Sequence, residues 1–199
     1  MPHNREHKLI VIDRDGTLNH DPEDYLRSAD DWLPLPGALD AVARLNQAGW
    51  RVVIASNQSG LGRGLFDVAT LNEIHERMHK ALAQAGARVE AVFFCPHAPE
   101  DECDCRKPAP GLLLQISQRL GVPVAHMVAV GDSVRDAQAA RAAGCEAHLV
   151  LTGQSLAHRD GTLPPDLPQG VCVHQDLAAF AEAIVARAAA AAPEKGFPS

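Results

Sequence analysis

Lys8-Leu9-Ile10-Val11-Ile12-Asp13-Arg14-Asp15-Gly16-Thr17 is the stretch on which the reading of this chain turns. Five residues of mostly β-branched apolar character predict a buried strand, and the two acids that follow sit on the loop leaving it. A charged pair at the end of a buried strand is costly without a cation. Asp13 and Asp15, one residue apart, can share one metal ion while keeping different chemical duties. Gly16-Thr17 lets the backbone turn sharply and offer amides to an anion.

Further apolar runs recur along the chain and alternate with longer helical patterns. The predicted strands are Lys8–Ile12, Arg51–Ala55, Ala91–Phe94, Met127–Val130 and Ala147–Leu151. None alternates cleanly between polar and apolar, as expected for strands covered on both faces. Leu39, Val42 and Leu45 mark the first helix, and the next three cover Val68 to about Ala85, Gly111–Leu120 and Val134–Ala143. Gly49, Gly86, Gly121 and Gly144 follow them in turn, where a left-handed residue ends a helix. A last helix is predicted over Leu177–Ala192, with Pro193–Ser199 a flexible tail and 152–170 a surface loop. The fold class is α/β, a central parallel sheet with helices on both faces.

Composition narrows the classes of partner. With 199 residues and 46% of them hydrophobic, the chain can bury a substantial core, read as a single domain over 1–199. Aromatics are only 4%, so that core must be aliphatic and alanine-rich. A net charge of −7 argues against a nucleic-acid or membrane-surface binder. No apolar run approaches a membrane span, and the first residues do not read as a signal peptide, so a cytoplasmic location is expected.

The chemistry-bearing residues fall just past predicted strand ends, the edge at which open parallel sheets bind ligands. Asp13 follows the first strand and is read as a nucleophile, with Asp15 as general acid and base. Ser56, in Ala55-Ser56-Asn57-Gln58-Ser59-Gly60, offers a hydroxyl and amides to phosphate oxygens. Lys107, in Cys105-Arg106-Lys107-Pro108, would neutralise charge. Gly131-Asp132-Ser133-Val134-Arg135-Asp136 supplies Asp132 as a Mg²⁺ ligand beside Asp13 and the backbone carbonyl of Asp15, with Asp136 in support. Each fragment alone has a plainer reading: a turn acid, a helix cap or a solvated lysine. Their order is what distinguishes them.

Cys95-Pro96-His97 and Cys103-Asp104-Cys105 place three thiols and an imidazole in the loop 95–107. A Cys₃His set suits a closed tetrahedral Zn²⁺ site of structural kind. Cys145 and Cys172 stand apart and read as small buried hydrophobes. His75 and His79 lie four apart on one helix face but lack a third ligand, so they read as surface histidines.

Asp13/Asp15, Ser56, Lys107 and Asp132 together resemble, one by one, the four ordered motifs of the haloacid dehalogenase (HAD) superfamily, over roughly residues 8–152. That resemblance implies a Rossmann-like fold and phosphatase chemistry through an aspartyl-phosphate, here without a large cap domain. Cys-Pro-His with Cys-x-Cys-Arg-Lys-Pro is similar to a zinc-loop, cap-less group acting on histidinol phosphate or on heptose bisphosphates. Ser56-Asn57-Gln58-Ser59-Gly60 followed by Arg63-Gly64-Leu65-Phe66 resembles the heptose branch. The resemblance then implies a monomer that removes the C7 phosphate of a heptose 1,7-bisphosphate for nucleotide-activated heptose, with the β anomer and lipopolysaccharide core as its expected branch. Histidinol phosphate is the alternative substrate. Asp21, Asp24, Asn57, Gln58, Ser59, Arg63, Arg106 and Ser133 are the implied contacts to the sugar bisphosphate.

Overall fold

The computed structural model describes residues 8–21 and 25–190. Six parallel strands form one sheet: β1 (Leu9–Ile12), β2 (Arg51–Asn57), β3 (Val92–Cys95), β4 (Met127–Gly131), β5 (Glu146–Val150) and β6 (Cys172–His174). Their order across the sheet is β3-β2-β1-β4-β5-β6. The chain order therefore reverses between β1 and β4, and a crevice opens at the carboxyl ends of those two neighbours. Pairing of Ile12 with Val130 sets the register, and Asp13 N–H donates to the Val130 carbonyl at 2.9 Å. The residue after β1 and the residue after β4, Asp13 and Asp132, are thus brought together.

Among the described residues, six α-helices accompany the strands: α1 (Ala38–Gln47), α2 (Ser59–Gly62), α3 (Val68–Gln84), α4 (Gly111–Leu120), α5 (Val134–Ala143) and α6 (Leu177–Ala190), the last following β6. Side chains alternate across the sheet, so β1 feeds two cores. Ile10 and Ile12 join Val42, Leu45, Ile74, Met78, Phe180 and Ile184 from α1, α3 and α6. Leu9 and Val11 join Leu112, Ile116, Ala139 and Ala140 from α4 and α5 on the opposite face. Alanine in α5 lets that helix lie close to the strands.

Several expectations need adjusting. The strand β6 is absent from the sequence reading, because Cys172-Val173-His174 is short and follows a Pro- and Gly-rich segment. Within the expected surface loop, Gly153–Asp160 forms a 3-10 helix that packs toward the carboxyl edge. Cys145 is buried as expected, but Cys172 is exposed because it opens the edge strand. The tail 193–199 lies outside the described residues, and among those described no helix is long and apolar enough to cross a membrane.

The edge strand is held by aromatic packing. Phe180 is fully buried, with its ring edge-on to His148 at 5.0 Å and to His174 at 5.6 Å between centroids. Phe180→Ala should cost about 3–5 kcal/mol of stability, read as a lower urea midpoint with an unchanged slope.

Candidate active site

Lys107 is the centre of the site. Its side chain is almost fully buried, and Nζ donates to Asp13 Oδ1 at 2.7 Å, Asp136 Oδ1 at 2.5 Å and the Ala55 carbonyl at 2.8 Å. Three acceptors satisfy the three ammonium protons. The backbone carrying Lys107 is fixed by Asn57: the Lys107 amide donates to Asn57 Oδ1 at 3.1 Å, and Asn57 Nδ2 donates to the Lys107 carbonyl at 3.0 Å. Asn57 therefore holds the lysine loop against the end of β2.

The Asp13, Asp132 and Asp136 carboxylates lie within 4.8 Å of one another. Burial raises the Asp13 pKa to about 7, with Asp136 and Asp15 adding to the rise against the opposing pull of Lys107. Asp132 is also pushed well above the ordinary range, first by burial and then by Asp13 and Asp136. Asp136 moves the other way: burial opposes its ionisation, but Lys107 and Ser133 hold it below the ordinary value. The lysine's one charge is shared between Asp13 and Asp136. Asp13 and Asp132 form a hard-oxygen cluster short of positive charge, a donor set that fits Mg²⁺. Asp136 is taken by Lys107 and by Ser133, whose Oγ donates to Asp136 Oδ2 at 2.5 Å as α5 begins.

Asp15 points its carboxylate elsewhere. Arg14 forks onto it, Nε at 2.9 Å and one terminal nitrogen at 2.8 Å, while Asn19 and Gln58 each donate at 2.9 Å. Burial works against the charge, yet Arg14, Asn19 and Gln58 together keep the Asp15 pKa below its usual value. Arg14 is itself 1% exposed, and another of its nitrogens meets His75 Nε2 at 3.4 Å. Burial drives the His75 pKa down to about 4, leaving a neutral acceptor. His75 is therefore a half-buried support of Arg14 and not a solvated surface residue. Arg14, Asn19 and His75 escaped sequence reasoning, since a cation between two acids gives no sign of which way it turns.

The loop after β5 closes the other side. Thr152 Oγ1 donates to the Gly16 carbonyl at 2.6 Å, and the Gln154 amide donates to Asp132 Oδ2 at 2.7 Å. Gly153 lies between them with φ +45°, and a Cβ there would come within 2.1 Å of Asp132 Oδ2. Only glycine tolerates both the backbone angle and the approach. At Gly16 the same holds: φ is +79°, with Asp132 Oδ2 2.3 Å from a would-be Cβ. Thr-Gly after the fifth strand was the available signal for this loop.

A cavity of about 850 Å³ joins these groups and is also lined by Asp21, Tyr25, Ser56, Ser59, Arg106 and Arg135. Ser56 Oγ accepts from Gln58 Nε2 at 2.7 Å. Arg106 reaches the His97 carbonyl at 3.4 Å from the cavity rim. Arg63 does not line the cavity; it ties Tyr25 Oη at 3.2 Å to Glu100 at 3.3 Å, joining the β1–α1 flap to the zinc-type loop. Tyr25 has a left-handed φ of 66° and also meets Ser59 Oγ at 3.4 Å. Asp24 lies outside the described residues.

Cys95, His97, Cys103 and Cys105 converge as a second cluster. The three sulfur–sulfur distances are 3.2, 3.6 and 3.6 Å, and His97 Nδ1 lies 3.5 Å from Cys95 Sγ and 3.3 Å from Cys105 Sγ. Zinc bonds of about 2.0–2.3 Å place tetrahedral ligands roughly 3.5–3.8 Å apart, so the set fits a zinc ion with little adjustment. Burial, and then its neighbour thiols, push Cys105 up to about 12, the mark of thiols crowded without a cation.

A family model for haloacid dehalogenase-like hydrolases matches residues 18–144. This chain belongs to that family. The match begins just after the Asp13–Thr17 loop and spans Ser56, Lys107 and Asp132. The chain is 54% identical over 181 residues to D-glycero-beta-D-manno-heptose-1,7-bisphosphate 7-phosphatase of Bordetella bronchiseptica, covering 91% of this chain and 99% of that one. Identity to the Pseudomonas aeruginosa protein of the same name is 45%, covering 89% and 97%. A crystal structure of D,D-heptose 1,7-bisphosphate phosphatase from B. bronchiseptica, complexed with magnesium and phosphate, superposes with a TM-score of 0.85 at 53% identity, covering 90% of this chain and 99% of that chain.

Two outcomes test the geometry. Lys107→Met leaves Asp13 and Asp136 buried without their cation and should cost about 3–5 kcal/mol at neutral pH. Because Asp136 is lowered in the fold, its share is present above about pH 4 and fades only in stronger acid; equilibrium unfolding across pH measures both. Elemental analysis should find one zinc per chain, lost in Cys103→Ser together with order in the loop, followed by limited proteolysis.

Proposed function

We propose that the chain is a Mg²⁺-dependent phosphatase that removes the C7 phosphate of D-glycero-β-D-manno-heptose 1,7-bisphosphate, leaving heptose 1-phosphate. The observation carrying this reading is the alignment over 99% of a relative that bears that name, with the Asp13–Lys107–Asp132 geometry intact. An 850 Å³ cavity is far larger than a phosphate ion requires and accommodates a sugar with a charged group at each end.

The groups divide the chemistry as follows. Asp13, oriented by Lys107, attacks phosphorus and forms the aspartyl-phosphate, while the bond from phosphorus to the C7 oxygen breaks. That oxygen takes a proton from Asp15. Water then attacks the phosphoryl group, gives its proton to Asp15 and frees Asp13 and phosphate. The hydrogen bonds from Arg14, Asn19 and Gln58 favour ionised Asp15, the form needed for the second half. Mg²⁺ held by Asp13, Asp132 and the Asp15 carbonyl would supply charge neutralisation at the phosphoryl oxygens. Ser56 and the amides after it offer donors to those oxygens, and Arg106 stands where it can fork onto the remote phosphate.

Zinc on Cys95, His97, Cys103 and Cys105 is read as structural, because four protein ligands leave no open position. Reduced thiolates fit a cytoplasmic enzyme supplying heptose 1-phosphate for nucleotide-activated heptose. Every group invoked comes from one chain, so a monomer suffices.

Phosphate release with Mg²⁺ should favour the β-heptose bisphosphate over both its α anomer and histidinol phosphate, by a kcat/KM ratio of about 10 or more. Asp13→Asn should abolish release from all three. Preference for histidinol phosphate would overturn the substrate, and a preserved rate in Asp13→Asn would overturn the nucleophile.

A further inference from the structure

The cavity is also lined by three side chains from three separate elements: Asp21 from the flap, Arg135 from the first turn of α5 and Gln154 from the loop after β5. Gln154 joins them. Its Oε1 accepts from an Arg135 terminal nitrogen at 3.0 Å, and its side chain lies near enough to Asp21 to favour that carboxylate's ionised form against the burial that opposes it. With the oxygen taken by a guanidinium, the amide NH₂ is directed toward the carboxylate of Asp21. The Arg135 bond, with the Asp21 carboxylate alongside, therefore sets the orientation of the carboxamide.

Its position is fixed as well. The Gln154 backbone N–H is 2.7 Å from Asp132 Oδ2, and Gly153 before it admits no side chain against Asp132 and Gly16. Asp132 in turn lies within 4.8 Å of Asp13. Gln154 thus begins beside Asp132 and lines the same cavity as Asp13 and Asp15. Two neighbours on the same loop offer little here: Arg159 donates to the Leu151 and Gln175 carbonyls, and Leu156 offers only hydrocarbon.

We propose that Gln154, oriented by Arg135 and Asp21, is a specificity-determining residue that reads the hydroxyl groups of the polyhydroxylated chain attached to the scissile phosphate. A second amide proton on Nε2 and the free lone pairs of Asp21 give a donor and an acceptor side by side. That pairing matches neighbouring hydroxyls, each of which both donates and accepts. Phosphate oxygens accept only, so Asp21 repels them and the wall selects against a second anion at this point. A site built to hydrogen-bond a hydroxyl discriminates strongly against ligands that lack it, because its own polar groups are then left unpaired. The inference rests on the sugar-phosphate reading above.

Gln154→Met tests it, since methionine keeps the length and the backbone N–H to Asp132 while removing the amide. kcat/KM is measured on heptose 1,7-bisphosphate, on sorbitol 6-phosphate, which has the hydroxyls without the second phosphate, and on p-nitrophenyl phosphate, which has neither. The ratio of either sugar substrate to p-nitrophenyl phosphate should fall about tenfold in the variant. Loss of folded enzyme lowers all three rates alike and cancels in the ratio, so an unmoved ratio overturns the role. If the wild-type enzyme does not favour the heptose, the substrate reading fails by itself. The sorbitol 6-phosphate ratio then still decides the role of Gln154.

Discussion

A single buried ammonium group organises this molecule. Lys107 Nζ reaches the end of β1 through Asp13, the end of β2 through the Ala55 carbonyl and the start of α5 through Asp136. Charge taken out of water is unfavourable unless every proton and lone pair finds a partner, and here all three ammonium protons do. One positive charge still faces several carboxylates. Burial first, and then the crowding of like charges, leaves Asp13 and Asp132 reluctant to ionise, a deficit that a divalent cation would answer. Fold, metal affinity and a poised nucleophile thus share one electrostatic origin.

The loop bearing Lys107 has little core of its own. Cys95 and Cys105 bury their sulfurs at its base, and Asn57 grips the lysine's backbone from β2. Between those two anchors the lysine backbone has few ways to move. A zinc ion on the Cys₃His set would act on the reaction only through this geometry, holding a cation where it is needed. The flap is handled similarly, by Arg63 and Tyr25 on one side and Gln154 on the other.

Much of this was legible in the sequence, for reasons that differ by residue. Asp13, Asp132 and Lys107 could be placed because each abuts an apolar run or a cysteine motif, and a parallel sheet gathers strand ends at one edge. The four zinc-type ligands were legible from spacing alone. Arg14 was not, because a buried guanidinium forking back on its neighbour looks in sequence like any charged loop residue. Gln154 hid in a Gly-, Ser- and Pro-rich segment that reads as solvent-facing, and only the β5 register brings it to Asp132. Arg63, expected at the substrate, contacts Tyr25 and Glu100 across two loops, an arrangement that depends on where a long side chain turns. The strand β6 was missed because three residues carry no period.

The groups that meet at Lys107 are far apart along the chain, with Asp13 94 positions before it and Asp136 29 after. Parallel strands joined by crossovers cannot pair until intervening segments are in place, so such contacts form late in folding. The site therefore has no partial version: a chain with only β1–β3 assembled has the nucleophile and the lysine but lacks both Asp132 and Asp136. Hydrolytic activity becomes a property of the completed fold, and a nascent or partly unfolded copy carries a harmless set of acids.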